Sequence, residues 1–581
     1  MPHDAQTPAL PTKAARHRRI RPPRPAQGPR VQKPPALCHG ALTFAQNCRP
    51  LACTCRAICF ALLVGLLLGL AGGCGRSPEL GQTLIYAQPE DPKTLDPIHT
   101  DITEAVHVIT NLFDTLVTYD ETTTQLVPAL AQRWETSPDG LVWTFYLRPG
   151  VLFHDGTPCD AEAVRTSLQR LILPEHPLVF DPVRPYQSAY RMIASVEAPQ
   201  PLTVRLTLHH PSAVLLANLA MFPASIVSPT ALRQYGAAFA EHPVGTGPFR
   251  LVQWDREEQI VCAAFDDHWR GRPRIDHLIW VPVRENATRV QRLQRGEIHL
   301  TDSLTPVELD ALARDERITV QEEVGLNVAY LSMNLEKPPL DDLRLRKAIY
   351  LAIDKRALIQ VGYGGHAEPA VSLVPPAMWG HDSTLVDLPY DVEQARRLVR
   401  EVASERGLSL PIPLTLAVMN QSRLYLPQPL AVQGFLKDAL REIGIDLVIE
   451  ARDVNQHFEH LMAGRHQLGL AGWNSDNSDP DNFLYSLLDL DNISEAGNNL
   501  SRYRNPQFHE LMLAGQREMD PDRRLEIYHQ AQRLVQADVP VVPLAHTRLR
   551  AAMRRGLVGY RLHPTGLVRL GSAYWEDAGA K

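Results

Sequence analysis

The chain has 581 residues, a formal net charge of −6 at pH 7, 44% hydrophobic residues and 21% charged residues. Because a single hydrophobic core stops growing at roughly 250–300 residues, this length predicts several domains. The small negative charge excludes a protein that binds nucleic acid or membranes through a broadly basic surface. The composition is typical of a soluble protein of mixed α/β class.

The amino-terminal part of the chain departs from this average. Residues 1–55 are rich in proline and arginine, which is typical either of a disordered arm or of a gene start placed too far upstream. Residues 56–74 combine a basic flank, a short apolar run and small residues that end at Cys74. This pattern predicts an export signal, because the run is shorter than the ~20 residues of a spanning helix. The residues before Cys74 are similar to a bacterial lipobox and predict its lipidation; an ordinary secretory signal is the alternative.

Few cysteines remain after the signal. Only Cys159 and Cys262 follow Cys74 in the sequence. An exported compartment permits a disulfide, but the sequence leaves open whether these two pair. No metal site is predicted, and the pair His209-His210 is interpreted as the polar end of a strand because no third ligand lies nearby.

Strand patterns dominate the first part of the exported chain. Residues 83–87 form a short apolar run. Residues 141–147 and 203–208 follow the two-residue alternation that predicts a strand. A Ser-Pro-Asp-Gly turn that ends at Gly140 precedes the first of these two strands.

Helices and strands alternate further along the chain. The predicted elements are a helix from Asp341 or Asp342 to Ile353, a helix at 430–443, a strand at 445–449, a helix at 457–463 and a strand at 468–473. The two aspartates are candidate N-caps, and Gly444 stands where a glycine commonly ends a helix. This order predicts a largely parallel sheet with helices on its faces.

Five stretches match one protein family, in the order in which that family carries them. They are Pro-Lys-Thr-Leu-Asp at 92–96, Leu-Arg-Pro-Gly-Val-Leu-Phe-His-Asp-Gly-Thr at 147–157, Val-Gly-Thr-Gly-Pro-Phe at 244–249, Leu-Asn-Val-Ala-Tyr-Leu-Ser-Met-Asn at 326–334 and Gly-Trp-Asn-Ser-Asp-Asn-Ser-Asp-Pro-Asp-Asn-Phe at 472–483. On these residues the chain resembles the family 5 extracellular solute-binding proteins, the peptide- and nickel-binding group of ABC importers. Within that family it is most similar to the dipeptide-binding proteins.

The resemblance implies a periplasmic-binding-protein type II-like α/β fold, a Venus flytrap of two lobes with an extra inserted domain. Two strands join the lobes, and the ligand is buried between the lobes when they close. We expect lobe I to comprise residues 75–115, 222–326 and 545–581, the inserted domain 116–221, and lobe II 327–544.

The resemblance also implies which residues hold a ligand. In the dipeptide-binding proteins an aspartate after the Gly-Trp strand holds the peptide α-ammonium, and Asp476 matches it here. An arginine in an Arg-x-Tyr-x-Pro segment holds the α-carboxylate, and Arg423 matches it. Opposite charges are required because an isolated buried charge is very costly, and the arginine fork fits a carboxylate. A solvated loop aspartate and a surface arginine are the alternatives.

The neighbouring side chains divide into structural residues and further candidates. Asp479 stands before Pro480 in a helix-capping pattern, so we expect a structural role for it. Trp473 is either a pocket wall or a core residue. The remaining ligand-binding candidates are Tyr425, Tyr330 and Asn334.

The implied function is the capture of short peptides, above all dipeptides, for an ABC permease and its ATPase subunits. The implied location is the periplasm, with a lipid anchor at Cys74 in the inner or outer membrane, as a monomer without a cofactor. The same fold could instead bind an oligopeptide, an antimicrobial peptide, glutathione, haem or a nickel chelate. A secreted hydrolase is the alternative of another class, but no Gly-x-Ser-x-Gly or His-Glu-x-x-His motif is present, so no enzyme is predicted.

Overall fold

The computed structural model describes residues 82–494 and 497–576. The predicted signal segment and Cys74 lie outside these residues. The strands are β1 (Thr83–Gln88), β2 (Val117–Tyr119), β3 (Leu126–Pro128), β4 (Ala131–Thr136), β5 (Val142–Leu147), β6 (Ile193–Gln200), β7 (Thr203–Leu208), β8 (Phe249–Asp255), β9 (Gln259–Ala264), β10 (His277–Pro282), β11 (Leu300–Thr301), β12 (Ile318–Val324), β13 (Asn327–Met333), β14 (Ala367–Pro369), β15 (Ile412–Met419), β16 (Ile445–Arg452), β17 (Leu468–Asn474), β18 (Val541–Arg554), β19 (Leu557–Val558) and β20 (Tyr574–Trp575).

Helices fill most of the connections between these strands. They are α1 (Thr103–Leu112), α2 (Ala161–Ile172), α3 (Leu215–Leu219), α4 (Pro229–Tyr235), α5 (Asn286–Arg295), α6 (Pro306–Leu312), α7 (Leu343–Leu351), α8 (Lys355–Tyr363), α9 (Val392–Arg406), α10 (Pro429–Glu442), α11 (Val454–Met462), α12 (Asp481–Leu488), α13 (Pro506–Arg517) and α14 (Pro521–Asp538). Short 3-10 turns lie at Pro97–His99, Gln187–Tyr190, Phe222–Ala224, Gly236–Glu241 and Leu490–Asn492. Among the described helices none is both long and apolar enough to cross a membrane.

The long strand β18 joins two lobes. Its first half pairs with β13 in the order β16-β15-β17-β13-β18, and its second half continues into β11-β1-β10-β9-β8. The chain also passes between the two sheets where β12 leads into β13. Asn327, at the start of β13, links the two crossings by hydrogen bonds to Thr547 of β18. Its buried side-chain N–H donates to the Thr547 carbonyl, and its side-chain oxygen accepts from the Thr547 N–H and hydroxyl.

Each lobe has hydrophobic cores on both faces of its sheet. In the lobe built around β13, Ala329, Leu331 and Met333 enter one core, whereas Val328 and Tyr330 enter the core on the opposite face. Parallel pairing of β15 with β16 and β17 agrees with this burial, because parallel sheets are normally covered on both faces. The two-lobe α/β fold is therefore observed.

A smaller antiparallel sheet forms a third body of structure. Its order is β4-β5-β7-β6, and α2 packs against β6 and β7 around a core of its own. This sheet lies within the segment 116–221 that was expected as the inserted domain. The exact domain boundaries stay a prediction.

The predicted helix from Asp342 to Ile353 is shorter in the structure. The Asp342 side chain does cap α7, accepting the Arg344 N–H, but α7 ends at Leu351. Asp354 then caps a new helix, α8, through the N–H groups of Arg356 and Ala357. The sequence prediction missed this break because Ala352 and Ile353 continue the apolar face of α7 across the turn.

Gly245 and Gly247 are required by a close backbone approach. A Cβ atom on either glycine would collide with the backbone at Leu112, where α1 ends. The sequence predicted that they fix a turn ahead of a strand. The strand is present as β8, but neither glycine has a positive φ, so close packing is the reason for them.

Cys159 and Cys262 are free, buried thiols in separate cores. Burial raises the pKa of both, that of Cys262 to about 12. Since the thiolate is the reactive form, we expect neither to react with a disulfide reagent such as Ellman's reagent in the native chain beginning at Gly75, and both to react in denaturant. Rapid reaction of the native protein would contradict this prediction.

Candidate functional site

Two loops leave the same edge of the second sheet. Strands β15 and β17 are parallel neighbours, with Leu416 beside Leu468. Their carboxyl ends therefore point the same way, and the loops that follow them carry Arg423 and Asp476. Open α/β sheets bind ligands outside the carboxyl ends of their strands, so this edge is the expected position of a site.

Asp476 is a partly buried carboxylate that is held by hydrogen bonds. The Tyr186 hydroxyl donates to its Oδ1 at 3.1 Å, and its backbone N–H donates to the Asn482 side-chain oxygen at 3.2 Å. Burial raises the pKa of Asp476 to about 6, against the lowering effect of the bonds from Tyr186 and Asn482. The Asp476 carboxyl is thus predominantly ionised at neutral pH, although its pKa lies only slightly below neutrality.

Trp473 precedes this loop at the end of β17. Its indole N–H donates to the same Asn482 oxygen at 2.8 Å. The ring is partly exposed and packs against the edge of the core that contains Val328. Trp473 is therefore in part a core residue, and its role as a pocket wall stays a prediction.

Arg423 lies in a tight turn with an exposed side chain. Its backbone pairs with Leu426 in both directions, at 3.0 and 2.9 Å. Over the stretches 82–494 and 497–576, no hydrogen bond or ion pair engages its guanidinium group. This leaves an unpaired cation at the edge of the sheet that also carries Asp476.

Tyr425 packs between the turn that carries Arg423 and strand β17. It is buried, its backbone oxygen accepts a hydrogen bond from the Tyr363 hydroxyl at 3.2 Å, and its ring lies over Gly472 of β17. Any side chain at position 472 would collide with this ring. The structure therefore places Tyr425 beneath the turn that carries Arg423, and its role toward a ligand stays a prediction.

Tyr330 and Asn334 are not brought to this edge. Tyr330 is 2% exposed and belongs to a hydrophobic core. Asn334 follows the carboxyl end of β13, seven residues after Asn327, which pairs with Asn474. The Asn334 side-chain N–H donates to the carbonyls of Gly464 and His466. The expectation for Asn334 is wrong, because β13 runs antiparallel to β17 and carries Asn334 away from Asp476. The expectation for Tyr330, which is buried in the middle of β13, stays a prediction.

Asp479 is a structural residue, but its main partner was not predicted. Its two carboxylate oxygens accept from Arg524 at 2.8 and 2.9 Å, and Oδ1 also accepts the Asp481 N–H at 3.0 Å. Arg524 further donates to the Gly515 carbonyl at 2.7 Å. This buried ion pair fixes the loop that carries Asp476 to α14.

The segment 116–221 contacts the same loop through residues that sequence reasoning missed. The Tyr119 hydroxyl donates to the Asn477 carbonyl at 2.7 Å, and the Asn477 amide donates to the Asn218 side-chain oxygen at 2.7 Å. Together with the Tyr186 hydrogen bond, these contacts join the segment 116–221 to the loop that carries Asp476. No local signal marks such residues, because the contacting pairs lie hundreds of positions apart in sequence.

The arrangement offers one buried acidic group and one exposed basic group at a common edge. Such a pair is complementary to a small zwitterion, whose ammonium would neutralise Asp476 and whose carboxylate could receive the arginine fork.

Comparison with known proteins agrees with the sequence resemblance. The family described as bacterial extracellular solute-binding proteins, family 5, matches residues 125–495. The dipeptide-binding protein of Escherichia coli is 31% identical over 508 residues, covering 84% of this chain and 93% of that protein. The dipeptide-binding protein of Pseudoalteromonas sp. SM9913 in complex with Met-Leu has a TM-score of 0.76 at 28% identity, over 85% of this chain and 100% of that one.

A second solved structure is a periplasmic binding protein from Helicobacter pylori in complex with the peptide STSA. It has a TM-score of 0.75 at 30% identity and covers 86% of this chain and 98% of that one. The residues 125–495 that match the family include the loop that carries Asp476. The chain belongs to the bacterial extracellular solute-binding proteins of family 5.

Proposed function

We propose that this protein captures dipeptides between its lobes and delivers them to the permease of an ABC importer. One observation carries the proposal: Asp476, a partly buried carboxylate, lies at the edge of the sheet from which the unpaired Arg423 also projects. Asp476 would hold the peptide ammonium and Arg423 the carboxylate. Two proteins that resemble this chain along most of its length, the Escherichia coli and Pseudoalteromonas dipeptide-binding proteins, support the same ligand class. The similar Helicobacter pylori protein is in complex with a four-residue peptide, so the proposal belongs within the wider class of short peptides.

The mechanism follows from the two crossings between lobes. Ligand binds to the lobe that carries Asp476, and rotation about β18 and the β12–β13 connection brings the other half of the molecule over it. The closed form is favoured by contacts that the ligand makes to both halves. Partly exposed walls such as Trp473 leave room for water around peptide side chains, which keeps side-chain selectivity broad because bridging water costs little.

The cellular setting is part of the proposal. An export signal that ends at a lipidated Cys74 would place the protein in the periplasm, held at a membrane next to the permease and its ATPase subunits. Membership in a solute-binding family supports a binding role and not a catalytic one. Incubation of a dipeptide with pure protein should therefore return it uncleaved.

Calorimetry tests the ligand class directly. The chain from Gly75 onward, unfolded and refolded to remove bound solute, is titrated with a free dipeptide, the N-acetylated dipeptide, a tetrapeptide and a pentapeptide. Binding of the free dipeptide with loss on acetylation supports the two-charge clamp. Binding of only the longer peptides, or of none, would keep the fold and overturn the ligand class; haem, glutathione and nickel chelates would then be titrated.

Arg423→Ala should weaken dipeptide binding by about 10- to 100-fold, because a charge-assisted hydrogen bond contributes roughly 1.5–3 kcal/mol. The variant should also lose discrimination between a dipeptide and its carboxamide, which calorimetry on both ligands measures. Arg400→Ala, on the exposed face of α9, is the matched control and should bind like the wild type. Retained discrimination in Arg423→Ala would remove Arg423 from the site.

A further inference from the structure

Tyr186 reaches Asp476 from a distant part of the chain. It stands at the start of the 3-10 turn Gln187–Tyr190, and its ring packs edge-on against Phe222 with centroids 5.3 Å apart. Its hydroxyl donates to the Asp476 Oδ1 at 3.1 Å across 290 positions of sequence. Asp476 belongs to the lobe built around β13, so this hydrogen bond ties that lobe to the segment 116–221.

The segment that carries Tyr186 is also held by the amino-terminal part of the chain. The His99 Nδ1–H donates to the Val183 carbonyl at 2.8 Å, three residues before Tyr186.

The other titratable groups on this side are already engaged. Tyr119 and Tyr190 also face Asp476, but their buried hydroxyls donate to the carbonyls of Asn477 and Asn218 at 2.7 and 2.8 Å. Tyr186 is thus the hydroxyl of the segment 116–221 that is bonded to the carboxylate.

We propose that Tyr186 is a positioning residue: its hydroxyl holds one carboxylate oxygen of Asp476 and leaves the other for the ligand ammonium. This inference rests on the proposed function, and it makes the ionisation of Asp476 depend on Tyr186. A hydrogen-bond donor favours the ionised carboxyl, whereas burial disfavours it. A cationic ligand end offsets the cost of burial, so the site selects a free amine.

The pH dependence of dipeptide affinity tests this role, since only ionised Asp476 binds the ammonium. Affinity should be constant well above the pKa of Asp476 and fall as the pH drops through it. Tyr186→Phe removes a donor and should move this fall to higher pH, by about half a unit or more. Tyr235→Phe, whose ring stacks on His242 away from this loop, should leave the profile unchanged. A Tyr186→Phe profile that superimposes on that of the wild type would overturn the proposal.

The same role can be measured with no peptide. The Asp476 carboxyl carbon, labelled with ¹³C and assigned by its loss in Asp476→Asn, is titrated by NMR in the ligand-free wild type and in Tyr186→Phe. A higher midpoint in Tyr186→Phe supports the inference even if the ligand is not a peptide. Equal midpoints refute it, whereas failure of the wild type to bind any peptide would refute only the proposed function.

Discussion

Replacing Asp476 by asparagine is expected to lower dipeptide affinity by roughly two to three orders of magnitude while leaving the fold intact. Removing one partner of a buried charge pair costs about 3–5 kcal/mol, because the other charge is then desolvated without compensation. Asparagine has nearly the same shape as aspartate and can still accept the hydrogen bond from Tyr186. The loss would therefore report the missing charge, and calorimetry at pH 8, where the wild-type group is ionised, would measure it.

The matched control is Asp438→Asn on α10. This side chain is 80% exposed, and its ion pair with Arg441 is long, at 3.7 Å. The Asp438→Asn variant removes one negative charge from the same lobe as Asp476→Asn. Because Asp438 is exposed and lies outside the site, this variant should change neither the dipeptide affinity nor the circular dichroism spectrum. If Asp476→Asn bound a dipeptide as tightly as this control, the ammonium would have to be held elsewhere.

Local patterns predicted most of the lobe that carries Asp476. The strands expected at 445–449 and 468–473 are present as β16 and β17, and the helix expected at 430–443 is α10. Gly444 has a φ of 91°, as a glycine that ends a helix requires. These features depend on neighbours in sequence, and periodicity and capping therefore reveal them.

The candidate site was predictable only where it depends on one loop. The position of Asp476 after β17 follows from the strand pattern and the family motif together. The contacts of Tyr186 and Asn218 do not, because they depend on how a distant segment packs against the loop. Asn334 shows the opposite error: proximity to the lobe connection in sequence suggested a role, but strand direction places it at the far end of the sheet.

Arg524→Ala is expected to destabilise the protein by about 3–5 kcal/mol, since it would leave the buried carboxylate of Asp479 without a counter-charge. The guanidinium of Arg524 also lies over the Trp379 ring at 4.8 Å and donates to the Tyr528 hydroxyl at 2.9 Å, so little water can replace it. A lower urea midpoint followed by circular dichroism would measure the loss. Dipeptide affinity should fall as well, because Asp479 holds the loop that presents Asp476.

Two further variants distinguish the contribution of the buried Arg524–Asp479 ion pair to stability from that of an exposed ion pair. Arg344→Ala removes an arginine whose side chain is 38% exposed and whose partner Glu405 is 59% exposed. Exposed pairs contribute about 0–1 kcal/mol, so its urea midpoint should barely change. The double variant Arg524→Met/Asp479→Asn removes both buried charges and should be more stable than Arg524→Met alone. If the double variant were instead the less stable, the ion pair would not be what fixes the loop, and packing of the arginine stem against Trp379 would have to explain its burial.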